Sequence, residues 1–342
     1  MVLVLGVSAG ARGARAILSH SDEPDGIPLD YCEVRRRPGA SRGAPVAEAI
    51  HHIRRAAAAR GELVTAAAVT YRGEACLDEI RSAVAPFGRE LARIAREPLA
   101  QLRYLRYIGR LPESGAVLLY DLGATGLSLT LADCATGNIL RTSRSTVISG
   151  DAHDHLVQRH LARAGHVVEI DQCRTWRETL SSRRAVTAQA STGDRITLTR
   201  NDLSDALAGS VHHSAALVRH LADEANRTDV HVLVLGGCAR NDQLAQWLAD
   251  KLAYPVELAP EPELVSARGA LLVAGERRPR VVRVAHAIGA PVRQPRRRKL
   301  AIALGAAAAA AVLVIGLLVA AWTDDPATQP TQVVGVPNAQ FE

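Results

Sequence analysis

The sequence predicts a two-lobed α/β protein, and three observations carry that expectation. Strand-like and helix-like segments follow one another as hairpin, helix, strand, helix, strand, helix, and the same order starts again at residue 116. Three turns of small residues, at 6–13, 121–126 and 236–240, each follow an apolar strand. They are therefore expected at the carboxyl edges of two sheets, where open α/β folds bind ligands. The length of 342 residues, with 48% apolar and 22% charged, suffices to bury two cores.

The elements follow in order. Val2 to Leu18 reads as a strand, a small-residue turn and a second strand, and Met1 to Leu5 is too short an apolar run to read as a secretory signal. The turn carries no Gly-Lys-Ser or Gly-Lys-Thr, so it is not a Walker loop. Residues 19–45, with four prolines, read as loops and one short strand. Val46 to Arg60 is a helix with Ala47, Ile50 and Ile53 on one face. Val64 to Thr70 is a buried strand, Cys76 to Val84 a helix and Glu90 to Ala95 a strand. Glu97-Pro98 opens a helix to about Ile108, with proline in the first turn, where its missing N–H costs nothing.

The second half begins with the stretch on which the chain turns. Leu118 to Asp121 is an apolar run ending in a carboxylate, and Leu127, Leu129 and Leu131 alternate with Ser128 and Thr130 after a turn of small residues. This is a tight hairpin. Its bare N–H groups suit a phosphate, and Asp121 at the strand end suits a metal ion or its waters, although an ordinary hairpin explains the same residues. Ile139 to Ile148 continues the sheet, Asp151 to Ala164 forms a helix with Asp at its start, and Gln172 to Ser182 forms another. Arg195 to Thr199 is a strand, and Asn201 is expected to cap a long helix with Leu203, Leu207, Val211, Ser214, Val218 and Leu221 on one side. Val230 to Leu235, a helix from Asp242 to Leu252, a short strand Val256 to Leu258 and a helix Glu263 to Ala274 complete the pattern.

A formal charge of +6 invites a nucleic-acid partner, but nine Arg or Lys and no acid lie between Arg277 and Lys299. Without them 32 basic residues face 35 acidic, and aromatics at 3% leave few stacking platforms, so a nucleic-acid partner is not expected. Residues 300–321 hold no charge, and 22 residues at about 1.5 Å each span about 33 Å. With Arg296 to Lys299 on one side and Asp324 and Asp325 on the other, they read as a transmembrane helix that leaves residues 1–299 cytoplasmic and the tail outside. The basic segment then suits anionic lipid, or serves as a solvated linker. The organisation expected is lobes at 1–115 and 116–275, a linker at 276–299, the membrane helix and a tail at 322–342. Five cysteines, widely spaced and with no CxxC pair, fit reduced thiols.

Asp121-Leu122-Gly123-Ala124-Thr125-Gly126-Leu127-Ser128 is similar to the second phosphate loop, Asp-Leu-Gly-Gly-Gly-Thr-Phe-Asp, of the ATPase domain of heat-shock protein 70 (DnaK) chaperones. That domain belongs to the actin-like, ribonuclease-H-like superfamily. Arg96-Glu97-Pro98-Leu99-Ala100 resembles the family's Asn-Glu-Pro-Thr-Ala, Gly150-Asp151-Ala152-His153-Asp154 its Gly-Glu-Asp-Phe-Asp, and Val234-Leu235-Gly236-Gly237-Cys238-Ala239-Arg240 its Val-Gly-Gly-Ser-Thr-Arg. Cys173 to Ser182 resembles its adenine-side helix, and Val265 to Ala270 its Val-Ala-Tyr-Gly-Ala. The fragments keep the family's order over residues 64–275.

The resemblance implies a two-lobed actin-like ATPase fold with a shortened first lobe and a cleft for ATP and Mg2+. Gly236 and Gly237 would let the backbone approach the nucleotide, Arg240 would lie along the adenine, and Arg177 and Ser181 would line its other side. Ser8, Gly10, Gly123, Thr125 and Gly150 are further cofactor-binding candidates, and Asp151 would take a ribose-side or metal-water role. Asp121 would hold magnesium through water, and Glu97 would order the same waters or relay motion between lobes. Two departures weaken hydrolysis: Gly6 is read at the place of the first loop's Asp, and Ser128 replaces the second loop's second Asp. The family's catalytic Lys also finds no counterpart before residue 64. Fixed charge about the γ-phosphate is what phosphoryl transfer needs, so binding with slow or absent turnover is expected. A non-catalytic scaffold or sensor at the membrane is the alternative. Asp151, His153 and His155 as a metal set, His212-His213 as a site, and a triad around Ser8, Ser149 or Ser181 are weaker readings.

Overall fold

The computed structural model describes residues 2–88, 92–189, 193 and 195–276. The basic stretch from 277, the apolar stretch 300–321 expected to cross a membrane, and the tail lie outside the described residues. Among those described, no helix is long and apolar enough to cross a membrane.

Two five-stranded sheets form the frame. In the first, β1 (Leu3–Ala9), β2 (Gly13–His20) and β3 (Asp30–Arg35) run antiparallel, and β4 (Val64–Tyr71) and β5 (Ala92–Arg96) add in parallel on the other side of β1. In the second, β6 (Ala116–Gly123), β7 (Gly126–Asp133) and β8 (Ile139–Ser145) repeat the meander, and β11 (Val230–Leu235) and β12 (Val256–Leu258) repeat the parallel pair. The expected duplication is therefore present strand for strand. In a separate ladder of β9 (Ala185–Gln189) and β10 (Arg195–Thr199), β10 is the strand expected at those residues, whereas β9 escaped the sequence reading because it alternates between exposed and half-exposed positions and carries no apolar run.

Both sheets are covered on both faces, which is why β1 and β6 are continuous apolar runs. Leu5 and Val7 of β1 pack with α1 (Ala44–Ala59) and α2 (Leu77–Val84), whereas Val4 faces α8 (Val265–Gly275). Leu118, Tyr120 and Leu122 of β6 pack with α6 (Arg200–Glu224) and α7 (Asp242–Ala249), whereas Val117 and Leu119 face α3 (Glu97–Tyr107). The last helix of each half thus crosses over: α3 joins the core of the second sheet and α8 that of the first. The two helices touch where a Cβ on Gly269 would stand 2.2 Å from the Ala100 carbonyl oxygen, so only glycine permits the crossing.

Gly6 has the same use. A Cβ there would lie 2.1 Å from the carbonyl oxygen of Ala267, so the missing side chain is what lets α8 lie on β1. Between β8 and β11 the second half carries α4 (Gly150–Arg163), α5 (Ile170–Thr179), the β9/β10 ladder and α6, where the first half has only α1 between β3 and β4. This accounts for the shortened first lobe. The caps differ from those expected. Ser149, not Asp151, caps α4 by accepting from the Ala152 N–H, and Thr199, not Asn201, caps α6 in a capping box with Asp202. In each case the residue that leaves helical dihedrals sits earlier than the sequence suggests, since its extended backbone lies next to the preceding strand or loop.

Candidate functional site

The parallel strands β1 and β4 of one sheet and β6 and β11 of the other end facing a common cavity of about 1010 Å³. The hairpin turn after β1 carries Ser8 and Gly10, that after β6 carries Gly123 and Thr125, and the turn after β11 carries Gly236 and Gly237. All six line the cavity, as do Glu97, Asp121, Asp151, Arg177, Ser181 and Arg240. Of the cofactor-binding and catalytic candidates the resemblance implied, Gly150 alone does not line it. Gly150 is buried beneath the wall, because a Cβ there would lie 2.6 Å from Cys238 Sγ, and its neighbour's amide, Asp151 N–H, donates to the Ala124 carbonyl at 2.9 Å.

The hairpin registers correct one assignment. Asp121 pairs with Ser128 two residues outside the Gly123/Gly126 pair, and Ser8 pairs with Arg15 two residues outside the Gly10 to Gly13 turn. Ser8, not Gly6, is therefore the equivalent of Asp121. Gly6 lies deeper, two residues earlier in the strand, under α8. The sequence reading was misled because the apolar strand runs through Gly6 without a break. The first turn still offers a hydroxyl where the second offers a carboxylate.

At the floor of the cavity five side chains close a hydrogen-bonded ring. Arg72, the first residue after β4, donates Nε–H to Glu97 Oε2 and Nη2–H to Asp121 Oδ2, the latter at 2.6 Å. Gln101, one turn after Glu97 on α3, donates from Nε2 to Asp121 Oδ2 at 2.7 Å and to Ser266 Oγ at 2.9 Å, and Ser266 donates to Glu97 Oε1 at 2.9 Å. Glu97, Gln101, Asp121 and Ser266 are buried, whereas the Arg72 side chain keeps 28% of its surface exposed. The two carboxylates hold the guanidinium charged and move its pKa further up, against the burial that opposes it.

Arg72, Gln101 and Ser266 were not found by sequence. Arg72 had a usable signal, since it follows a buried strand at the same edge as the three turns. Gln101 and Ser266 carry none that an ordinary helix residue lacks.

Further charges frame the cavity. Arg12 of the first turn pairs with Asp151 at the start of α4, joining the two halves across the cavity, with both side chains about 40% exposed. Asp154, fully buried, accepts from Arg177 Nε at 2.6 Å and from Arg174 Nε at 2.9 Å. Arg177 is thus committed to Asp154, and Arg240 to Glu263 at 2.8 Å, rather than standing free beside a base. Ser181 Oγ donates to the Glu178 carbonyl at 2.6 Å. His153 lies next to this cluster, bonded to Ser210 Oγ at 2.9 Å, and burial pushes its pKa down to about 3, with Arg177 adding to the effect. It is a neutral core residue, not a ligand.

The donor set suits a polyanion better than a divalent cation. Backbone turns with no side-chain bulk and several guanidinium groups match phosphates. For magnesium the fit fails. Oδ2 of Asp121 is taken by Arg72 and Gln101, and Oδ1 is buried without a hydrogen-bond partner, 2.5 Å from where a Cβ of Gly236 would stand. Both Glu97 oxygens are likewise taken. Among the described residues no group of three or more His, Cys, Asp or Glu comes together to hold a metal. Asp121, expected to hold magnesium through water, is paired instead with Arg72, which stands between the two carboxylates.

A two-sheet α/β frame with exchanged end helices and glycine turns around one cavity defines the class, the actin-like ATPase fold. The comparisons agree with it. The chaperone protein HscA homolog of Shewanella baltica (strain OS195) is 24% identical over 233 residues, 63% of this chain and 37% of that protein. Chaperone protein HscA of Salmonella arizonae is 23% identical over 201 residues, 55% of this chain and 32% of that protein. The chain spans about a third of the length of these relatives. The crystal structure of ethanolamine utilization protein EutJ from Carboxydothermus hydrogenoformans superposes with a TM-score of 0.57 at 18% identity, covering 80% of this chain and 91% of that one. No family model matches the chain. The chain thus resembles the ATPase domain of the heat-shock protein 70 chaperones in sequence and has the actin-like fold.

Proposed function

We propose that the chain is a heat-shock-protein-70-like nucleotide-binding protein that takes ATP between its two lobes and answers with a change in their closure. The observation that carries this reading is the convergence of the three glycine turns, 8–13, 123–126 and 236–237, on one cavity. The two helices that exchange sheets supply the coupling. Glu97 on α3 and Ser266 on α8 meet in the ring at the cavity floor, so a ligand that shifts the ring acts on both halves. Hydrolysis is slow or absent in this reading. Its support is the serine at position 8, the equivalent in the first hairpin of Asp121 in the second, and the pairing of both remaining carboxylates with Arg72.

The lobes are assigned to 1–115 and 116–275. The protein is held at a membrane by residues 300–321, with the lobes cytoplasmic and the basic segment 277–299 against anionic lipid. Titration of the full-length chain with labelled ATP, alongside limited proteolysis with and without ATP, tests the proposal. Saturable binding with an altered pattern of proteolytic protection is expected. Absence of both leaves the second reading, a scaffold or sensor that keeps the fold as a docking surface, which the Arg72 pairing also favours.

A further inference from the structure

Two arginines, Arg72 and Arg144, meet at the turn between β6 and β7, and a third, Arg42, lines the same cavity. Arg72 uses Nε and Nη2 on the carboxylates. Its Nη1 has no acceptor among the described residues and lies 3.2 Å from where a Cβ of Gly123 would stand, at the turn itself. Arg144 of β8 reaches the same hairpin from the other side, donating Nη1–H to Ser128 Oγ at 2.9 Å, with Nη2 3.0 Å from the Cβ position of Gly126. The backbone N–H of Arg42 donates to Glu79 Oε2, and neither the Arg42 nor the Arg144 guanidinium is paired with a carboxylate among the described residues. Burial lowers the Arg144 pKa, Arg72 and Arg42 add to that effect, and the carboxylates of Asp121 and Glu97 offset it only in part. Holding like charges together in this way costs energy unless an anion joins them.

Resting on the nucleotide-binding reading above, we infer that Arg72 stands in for the divalent cation of the site. Nucleotide phosphates then bind against Arg72, Arg144 and Arg42 without magnesium. A guanidinium presents forked N–H donors to phosphate oxygens and neutralises them. It neither polarises a phosphoryl oxygen as a Lewis acid nor acidifies a bound water as a metal ion does. The same substitution of cation therefore explains retained binding and poor turnover together. The carboxylates that would carry a metal instead hold Arg72 in place.

The test is ATP binding by the full-length chain in excess EDTA and in excess Mg2+, with inorganic tripolyphosphate in EDTA as a probe that has no base. Affinity for ATP that agrees within about twofold in the two media is expected. Arg144→Ala, which leaves the ring intact, should weaken metal-free binding of ATP and of tripolyphosphate by about tenfold, the worth of one charge-assisted contact. Arg72→Ala, checked for folding by its thermal melt, should weaken metal-free binding at least as much and should gain a Mg2+-dependent rise in Tm that the wild type lacks. ATP binding seen only with Mg2+ overturns this inference and leaves the nucleotide reading standing. Tripolyphosphate binding without ATP binding overturns the nucleotide reading and keeps the arginine site. Absence of both in either medium overturns the two together.

Discussion

The guanidinium of Arg72, at the end of β4 in the first sheet, lies 2.6 Å from Oδ2 of Asp121, at the end of β6 in the second. One ion pair therefore ties the two halves at the floor of the cavity. A carboxylate that reads as a metal ligand in sequence is the counter-ion of an arginine in the fold. Asp121→Asn should lower stability by about 1–3 kcal/mol, less than a fully buried pair because Arg72 is partly exposed and keeps Glu97. The same variant should hold or improve ATP affinity in EDTA by a few-fold, because it frees positive charge toward the phosphates. Denaturant melts and an ATP titration measure the two effects, and loss of ATP binding would tell against the role given to Arg72.

Gly236 is the second lever on the same carboxylate. Its φ is +100°, and a Cβ there would press on Asp121 Oδ1 and the Leu122 carbonyl. Gly236→Ala is expected to cost about 1–2 kcal/mol in backbone conformation alone, and to weaken nucleotide binding by displacing the floor of the cavity. Gly237→Ala, whose nearest neighbours are the flexible tips of Arg15, serves as the milder control.

Gly6 should prove structural. Gly6→Ala drives a methyl group into the backbone of α8 at Ala267 and Leu271, and overpacking of this kind costs about 1–3 kcal/mol. Urea unfolding at fixed pH measures it. If Gly6 instead occupied the ligand-binding position, the variant would lose affinity with its stability intact.

His153 makes stability depend on pH. Its pKa is about 3 in the folded chain against about 6.5 unfolded, so between those values the unfolded state binds the extra proton. Stability from this group is complete above pH 6.5 and falls as pH drops toward 3, by up to about 1.4 kcal/mol per pH unit. His153→Gln, which retains an amide for Ser210, should lose about 2 kcal/mol less than the wild type between pH 7 and pH 5. Equal losses in the two proteins would place the proton elsewhere.

The start of α6 distinguishes two neighbouring residues. Thr199→Ala removes the side chain that accepts from Asp202 N–H and should cost about 1 kcal/mol. Asn201→Ala should change stability by no more than about 0.5 kcal/mol, since Asn201 is an exposed residue inside the helix. Thermal melts of the two variants settle which is the cap.

Much of the architecture was legible in the chain itself. Alternation in β6 places Leu118 and Tyr120 against one set of helices and Val117 and Leu119 against another, because side chains on a strand alternate strictly. Glycine at 123 and 236 marked turns that line the cavity, and the order of elements announced the duplication. These are local properties, written in spacing of two and of three to four residues.

Tertiary structure decided which distant groups meet. It brought Arg72 between Glu97 and Asp121, gave Ser8 rather than Gly6 the hairpin position equivalent to Asp121, and sent α3 and α8 each to the other half's sheet. No local pattern encodes such pairings. An ion pair 49 residues apart depends on how two sheets and two crossing helices pack, and that packing is settled only when all their faces are buried at once.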